Sequence, residues 1–202
     1  MNESQTVTLR VPRQLVQAWP NLLLFAISLS LSVWQLSSHL AVSQYDSSLY
    51  FGSALELVTG HLPYRDFVFI QPPGISILLA PFAFVAVHFS TALGIALARL
   101  ACAAIVGSVP VLVALLTRRY GFLVSWLCGL TVAVTPVASL MLTAIKVDPT
   151  CLAASLWGAW LLLEKPAPQT SHRDSRAVLA GALLGFAFTV KFWAAFPLLG
   201  VV

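Results

Sequence analysis

Four acidic residues stand where a charge is hard to keep. Asp46, Glu56 and Asp66 follow the first long apolar run, and Asp148 stands between two later ones. A carboxylate at the edge of a bilayer is costly unless paired or hydrated, so each is a functional candidate by default. The plainer reading is a solvated loop charge, and Glu56 fits that best. Asp66, in Tyr64-Arg65-Asp66, also has a local use, because Asp side chains cap turns through their own backbone. A helix over residues 45–58 would put Asp46, Tyr50 and Ser53 on one face at i, i+4 and i+7, turned toward a cavity at the membrane surface. Lys191 and Arg99 interrupt apolar runs. Lys191 is expected at mid-membrane or in the outer half. Arg99 is expected toward the cytoplasmic end, where snorkelling or a packing ion pair accounts for it. His39, His61, His88 and His172 are dispersed, and no zinc site is expected. Cys102, Cys128 and Cys151 lack metal-ligand spacing and read as small buried hydrophobes.

Composition says what must position these groups. Apolar residues make up 59% of the 202, and charged residues only 9%. Mean hydropathy is +0.90. A soluble domain carries about 25% charged residues, so this chain has too few polar groups to cover a water-facing surface. The expected fold is all-α, a polytopic transmembrane helical bundle with a long outer loop carrying short interfacial helices. A net charge of +4 would point to nucleic acid in a soluble protein. Here the Lys and Arg are scattered among apolar runs and read as topology signals, with no nucleic-acid partner.

A spanning helix needs about 20 apolar residues. Candidate spans are 21–40 (an uncleaved signal anchor), 92–117, 122–145, 149–163 and 178–202, and residues 1–20 form a cytoplasmic tail. The run 74–89 is short and interrupted by Pro81. If it crosses, Lys and Arg fall on the wrong side. If it lies at the interface, seven (Arg10, Arg13, Arg118, Arg119, Lys165, Arg173, Arg176) are inside and two (Arg65, Lys146) outside, as the positive-inside rule requires. The outer loop is then 41–91, and residues 146–148 share its side.

The segment YDSSLYFGSALELVTGHLPYRDFVFIQPPGISILLAPFAFV resembles the first outer loop of the polyprenyl-phosphate-dependent membrane glycosyltransferases, the GT-C superfamily, whose members include protein O-mannosyltransferases and lipid A aminoarabinose transferases. The resemblance rests on Asp46, Gly60-His61-Leu62-Pro63-Tyr64 and Gln71-Pro72-Pro73-Gly74. It continues through Ala98-Arg99-Leu100, Arg118-Arg119-Tyr120-Gly121, Thr135-Pro136, Lys146-Val147-Asp148 and Thr189-Val190-Lys191. There are three departures. Ser47 stands where the family often has a second acid, Gln71 replaces a frequent His, and the chain stops inside an apolar run where such enzymes continue. The module at 21–202 is thus expected to be the N-terminal portion of a longer protein.

The resemblance implies inverting sugar transfer from a polyprenyl-phosphate donor to a glycan, lipid or protein acceptor, on the non-cytoplasmic face of a bacterial inner membrane. It assigns the general base to Asp46 and a supporting catalytic carboxylate, or metal ligand, to Asp148. Substrate contacts are Tyr50, Arg65, Asp66, Gln71, Lys146 and Lys191, with Lys146, Arg65 or Lys191 facing the donor phosphate. A divalent metal, Mg or Mn, is the cofactor such chemistry can use. Two other functions compete: a transporter or lipid flippase, and a noncatalytic membrane subunit. The first would need broken helices in repeated halves, and no internal repeat is visible.

Overall fold

A computed structural model of the chain describes residues 13–38, 45–135, 145–163 and 173–196. Most of these residues are helical, apart chiefly from the turn-rich stretch 59–73, and no strand forms among them. The helices are α1 (Arg13–Ser38), α2 (Tyr45–Val58), α3 (Gly74–His88), α4 (Thr91–Gly107), α5 (Val109–Thr117), α6 (Phe122–Val134), α7 (Val147–Leu163) and α8 (Arg173–Val190). Local chemistry sets several of their ends. Ser90 is extended and its hydroxyl accepts the N–H of Leu93, capping α4. Pro110 occupies the first turn of α5, where its missing N–H costs nothing. Gly121, at φ +103°, makes the turn that folds α6 back on α5.

Close backbone approach holds the bundle together. A Cβ on Gly94 would lie 2.5 Å from the Ala86 Cβ, so α3 and α4 pack at a distance only glycine allows. Gly158 does the same for α7 and α8, where a Cβ would meet Leu184 at 2.7 Å. Small residues at crossings let helix backbones approach this closely. The bundle's exterior is apolar, with Leu22, Trp34, Leu123 and Val178 all well exposed.

The direction of each helix follows from its contacts. Gly107 of α4 faces Ser28 and Leu29 of α1, whereas Pro20 and Asn21 stand beside Leu115 and Arg118, so α1 runs antiparallel to α4 and α5. Ala98 and Cys102 share a core with Val147 and Cys151, and farther along Trp157 Nε1 donates to Ser108 Oγ at 2.7 Å. Thus α7 runs parallel to α4. The return helix α8 meets α7 at Gly158 and again where Lys191 pairs with Asp148. One end of the bundle therefore carries Asp148 and Lys191. The other carries Arg118, Arg119 and Arg176, the last donating to the Leu161 carbonyl at 3.4 Å. Both ends of α3 lie at the acidic end: Gly74 abuts Thr189, and His88 leads within three residues to the start of α4.

The apolar run at 92–117 is helical as expected, and three other expectations change. Residues 91–120 form one continuous apolar helix, the one stretch among the described residues long and apolar enough to cross a bilayer alone. The other apolar helices, including the one at 19–34, are shorter. Arg99 sits in the first third of that long helix, toward the acidic end and away from the basic end where the sequence reading put it, because α4 begins at the acidic end. The run 178–202 is not one helix. It starts at Arg173, ends at Val190, and turns extended at Lys191. In the run 122–145, α6 ends at Val134, and residues 136–144 lie outside the described residues, as do His39, Lys165, His172 and Pro197.

Candidate functional site

The site is built outward from α2, which spans Tyr45–Val58, the stretch considered as a helix from the sequence. Ser47 Oγ accepts the backbone N–H of Ile145 at 3.1 Å, joining positions 98 residues apart. Six residues on, Ser53 Oγ hydrogen-bonds Ser76 Oγ at 2.7 Å and donates to the Tyr50 carbonyl. These contacts hold α2 across the start of α7 on one side and α3 on the other. Tyr50 is buried in the core they share, with Phe51, Ile75, Val147 and Cys151. The expected orientation of this face is therefore corrected: Tyr50 and Ser53 pack inward on α3 and do not line an open cavity, while Asp46, one turn earlier, stays half-buried at the rim.

Tyr50 locates the two carboxylates. Its phenol pKa is raised, first by burial and then by the negative charges of Asp46 and Asp148. Two acids 102 positions apart in the chain thus act on the same hydroxyl. Asp148 lies in the first turn of α7, where the helix dipole favours an anion. Its Oδ1 is paired with Lys191 Nζ, just past the end of α8, where the dipole favours a cation. The ammonium is mostly buried, whereas the carboxylate is largely exposed. The Trp193 ring lies 5.5 Å from the same ammonium and adds a cation–π contact.

The Pro-Pro-Gly turn is fixed against this pair. A Cβ on Gly74 would fall 2.5 Å from Thr189 Oγ1 and 2.6 Å from the Thr189 carbonyl carbon and oxygen. Three segments distant in sequence, ending at Gly74, Asp148 and Lys191, thereby converge.

Other predicted residues stay apart. Arg65 holds Asp66 by two hydrogen bonds of 2.9 Å, and Asp66 also accepts the Leu62 N–H at 2.7 Å. The Arg65 guanidinium and the Leu62 N–H lower the Asp66 pKa. Both charges are engaged in an exposed turn, and neither contacts Asp46, Asp148, Lys146 or Lys191 among the described residues. Gln71 enters through its backbone carbonyl, which accepts the Tyr64 hydroxyl. Tyr64 has positive φ (68°), and burial raises its pKa. Lys146 is half-buried, and its carbonyl accepts Thr150 Oγ1 at 2.9 Å. Glu56 pairs with His61 at 2.8 Å on a half-exposed surface.

These residues do not present a metal-binding set. Asp148 already faces an ammonium, and among the described residues no group of three or more His, Cys, Asp and Glu converges. The sequence reading missed the Ser47 and Ser53 clamps and the Asp148–Lys191 pair. Ser47 was visible only as a departure from an acidic position, and nothing local signals a partner 98 residues away. What remains is a half-buried carboxylate, a neutral phenol and a lysine held by a second carboxylate, at one end of an apolar bundle. Comparison with family models, curated proteins and solved structures returned no match.

Proposed function

We propose that this chain is a multi-span membrane glycosyltransferase module that moves a sugar from a polyprenyl-phosphate donor to a hydroxyl acceptor on the non-cytoplasmic side. The observation that carries this reading is geometric: the Ser47–Ile145 hydrogen bond seats the first turn of α2, with Asp46, against the start of α7, where Asp148 pairs with Lys191. Support for a membrane placement comes from the apolar exterior, the one 30-residue apolar helix and the gathering of Arg118, Arg119 and Arg176 at the opposite end; the crossing of further helices is part of the proposal.

In the proposed step, Asp46 accepts the proton of the acceptor hydroxyl. The freed oxygen attacks the anomeric carbon from the face opposite the phosphate, and the bond from that carbon to the phosphate oxygen breaks. Configuration inverts, and the lipid phosphate leaves with the bonding pair. Lys191, joined by Lys146, offsets the developing negative charge. Asp148 positions the Lys191 ammonium, and Tyr50, protonated at neutral pH, is a hydrogen-bond donor beside both acids.

A noncatalytic membrane subunit is the second reading. It is favoured by the burial of Tyr50 and Ser53, which closes the face expected to admit substrate. One experiment separates the two. Membranes bearing the native full-length protein are incubated with radiolabelled polyprenyl-phosphate sugars, beside an Asp46→Asn variant. The transferase reading requires labelled product and a turnover loss of about 10²–10⁴ on removing the base. Product at the normal rate from Asp46→Asn rejects the assigned base, and no product with any donor leaves the subunit reading.

A further inference from the structure

A second polar feature lies at the basic end, far from the acidic pair. Pro20 and Asn21 of α1, Ala114 and Leu115 of α5, Arg118 in the turn, and Phe122, Ser125 and Trp126 of α6 enclose a notch of about 210 Å³. Its polar groups are the Arg118 guanidinium, the Asn21 amide and the Ser125 hydroxyl, which donates to the Ala114 carbonyl at 2.5 Å. No acid lines it. The indole N–H of Trp126, in the same wall, is buried without an acceptor among the described residues. A cavity with a cation, an amide and no carboxylate suits an anion. A planar guanidinium suits phosphate oxygens in particular.

The surroundings say which kind of phosphate. Trp19, Leu22, Phe122 and Leu123, on the helices that form the notch, are all more than half exposed. Beyond the turn, Arg119 lies 4.8 Å over the Tyr120 ring. A polar notch beside exposed apolar faces matches an amphiphile: the headgroup inside and the acyl chains along α1 and α6. We propose that this notch binds the phosphate of an anionic phospholipid in the cytoplasmic leaflet, with Arg118 as its principal contact. This inference rests on the membrane placement proposed above but is independent of sugar transfer.

The test uses the purified chain in neutral detergent, with phosphatidylglycerol and phosphatidylcholine of identical acyl chains counted by native mass spectrometry. The wild type should retain phosphatidylglycerol preferentially. Arg118→Gln should reduce that retention about tenfold and leave phosphatidylcholine unchanged. Arg119→Gln, which removes the neighbouring charge outside the notch, should reduce it less than about twofold. If Arg118→Gln melts below wild type without lipid, Arg118→Lys, which keeps the charge, must restore the preference. Three results overturn the proposal. One is unchanged retention in Arg118→Gln, and another is equal loss in both variants, which would mean diffuse surface charge. The third is displacement of the lipid by inorganic phosphate at equal concentration, which would assign the notch to a free ion.

Discussion

Gly74→Ala tests the convergence on which the candidate site depends. The added Cβ would stand 2.5–2.6 Å from Thr189 Oγ1 and from the Thr189 carbonyl carbon and oxygen. Ordinary contact begins at about 3.4 Å, so the start of α3 and the end of α8 must separate by close to 1 Å. Two of the three obstructing atoms are backbone, and no rotamer change relieves them. Overpacking of this kind costs about 1–3 kcal/mol. For a chain of this size, about 2 kcal/mol is a fall in Tm of about 4–8 °C. The control is Gly185→Ala in α8, where nothing lies within 4 Å of the new Cβ. There the substitution should be neutral or stabilising, by up to about 1 kcal/mol of helix propensity. Both variants are compared with wild type by thermal unfolding in one detergent, followed by circular dichroism. Equal Tm shifts in the two variants would refute the Gly74–Thr189 contact, and the Pro-Pro-Gly turn would lose its place beside Lys191.

In a single-cysteine series on a cysteine-free background, Arg65→Cys and Thr91→Cys should both react with an impermeant thiol reagent from the non-cytoplasmic side, and Arg119→Cys only after permeabilisation. Reaction of Thr91→Cys only after permeabilisation, with Arg119→Cys reacting from the non-cytoplasmic side, would mean that α3 crosses. Tyr50 should ionise above the ordinary tyrosine value of 10.0. Because its folded pKa is raised, its contribution to stability is intact below that value and is lost as pH rises through the folded one. Tyr50→Phe should flatten this alkaline loss in a Tm-against-pH profile, and an unchanged profile would contradict the burial beside two acids. In the transfer assay, Asp148→Asn and Lys191→Met should each lower turnover, and the double variant should be no worse than the worse single, as expected for two groups acting as a unit. Glu56→Gln should stay close to wild type, since Glu56 pairs only with His61 at a half-exposed site.

Much of the architecture was legible because it depends on local pattern. The helix considered over 45–58 is present as α2, and the grouping of charges followed from where Arg and Lys sit relative to apolar runs. The interfacial reading of 74–89 came from the charge count together with the run's short length and Pro81, and the contacts of α3 put both its ends toward the acidic end. Lys191 was legible as a charge inside an apolar run. That the helix stops just before it was not, because Phe-Trp-Ala-Ala-Phe continues the run without a breaker and the termination is set by tertiary contacts. Arg65 and Asp66 misled in the opposite way. Their types suit phosphate recognition, but neighbouring opposite charges in a tight turn neutralise each other first. Small residues were the least legible. Gly74, Ser47 and Ser53 carry no chemistry a motif search would value, and their importance depends on a partner from a remote segment.

The acidic pair itself argues for a division of labour between the two carboxylates. Asp148 and Lys191 stand at helix ends whose dipoles suit their charges. A pair with an exposed carboxylate gains little stability from its attraction, which leaves stability a weak reason for placing it there. Its effect is geometric. The carboxylate fixes where a flexible lysine head rests, while the Trp193 ring supports the same ammonium. Asp46 has no such partner among the described residues and lies at the rim of the same core. An acid without a cation is free to take a proton, whereas one that holds an ammonium is committed to orienting it. The fold thus distinguishes two aspartates that composition and spacing leave equivalent, and it does so through Lys191.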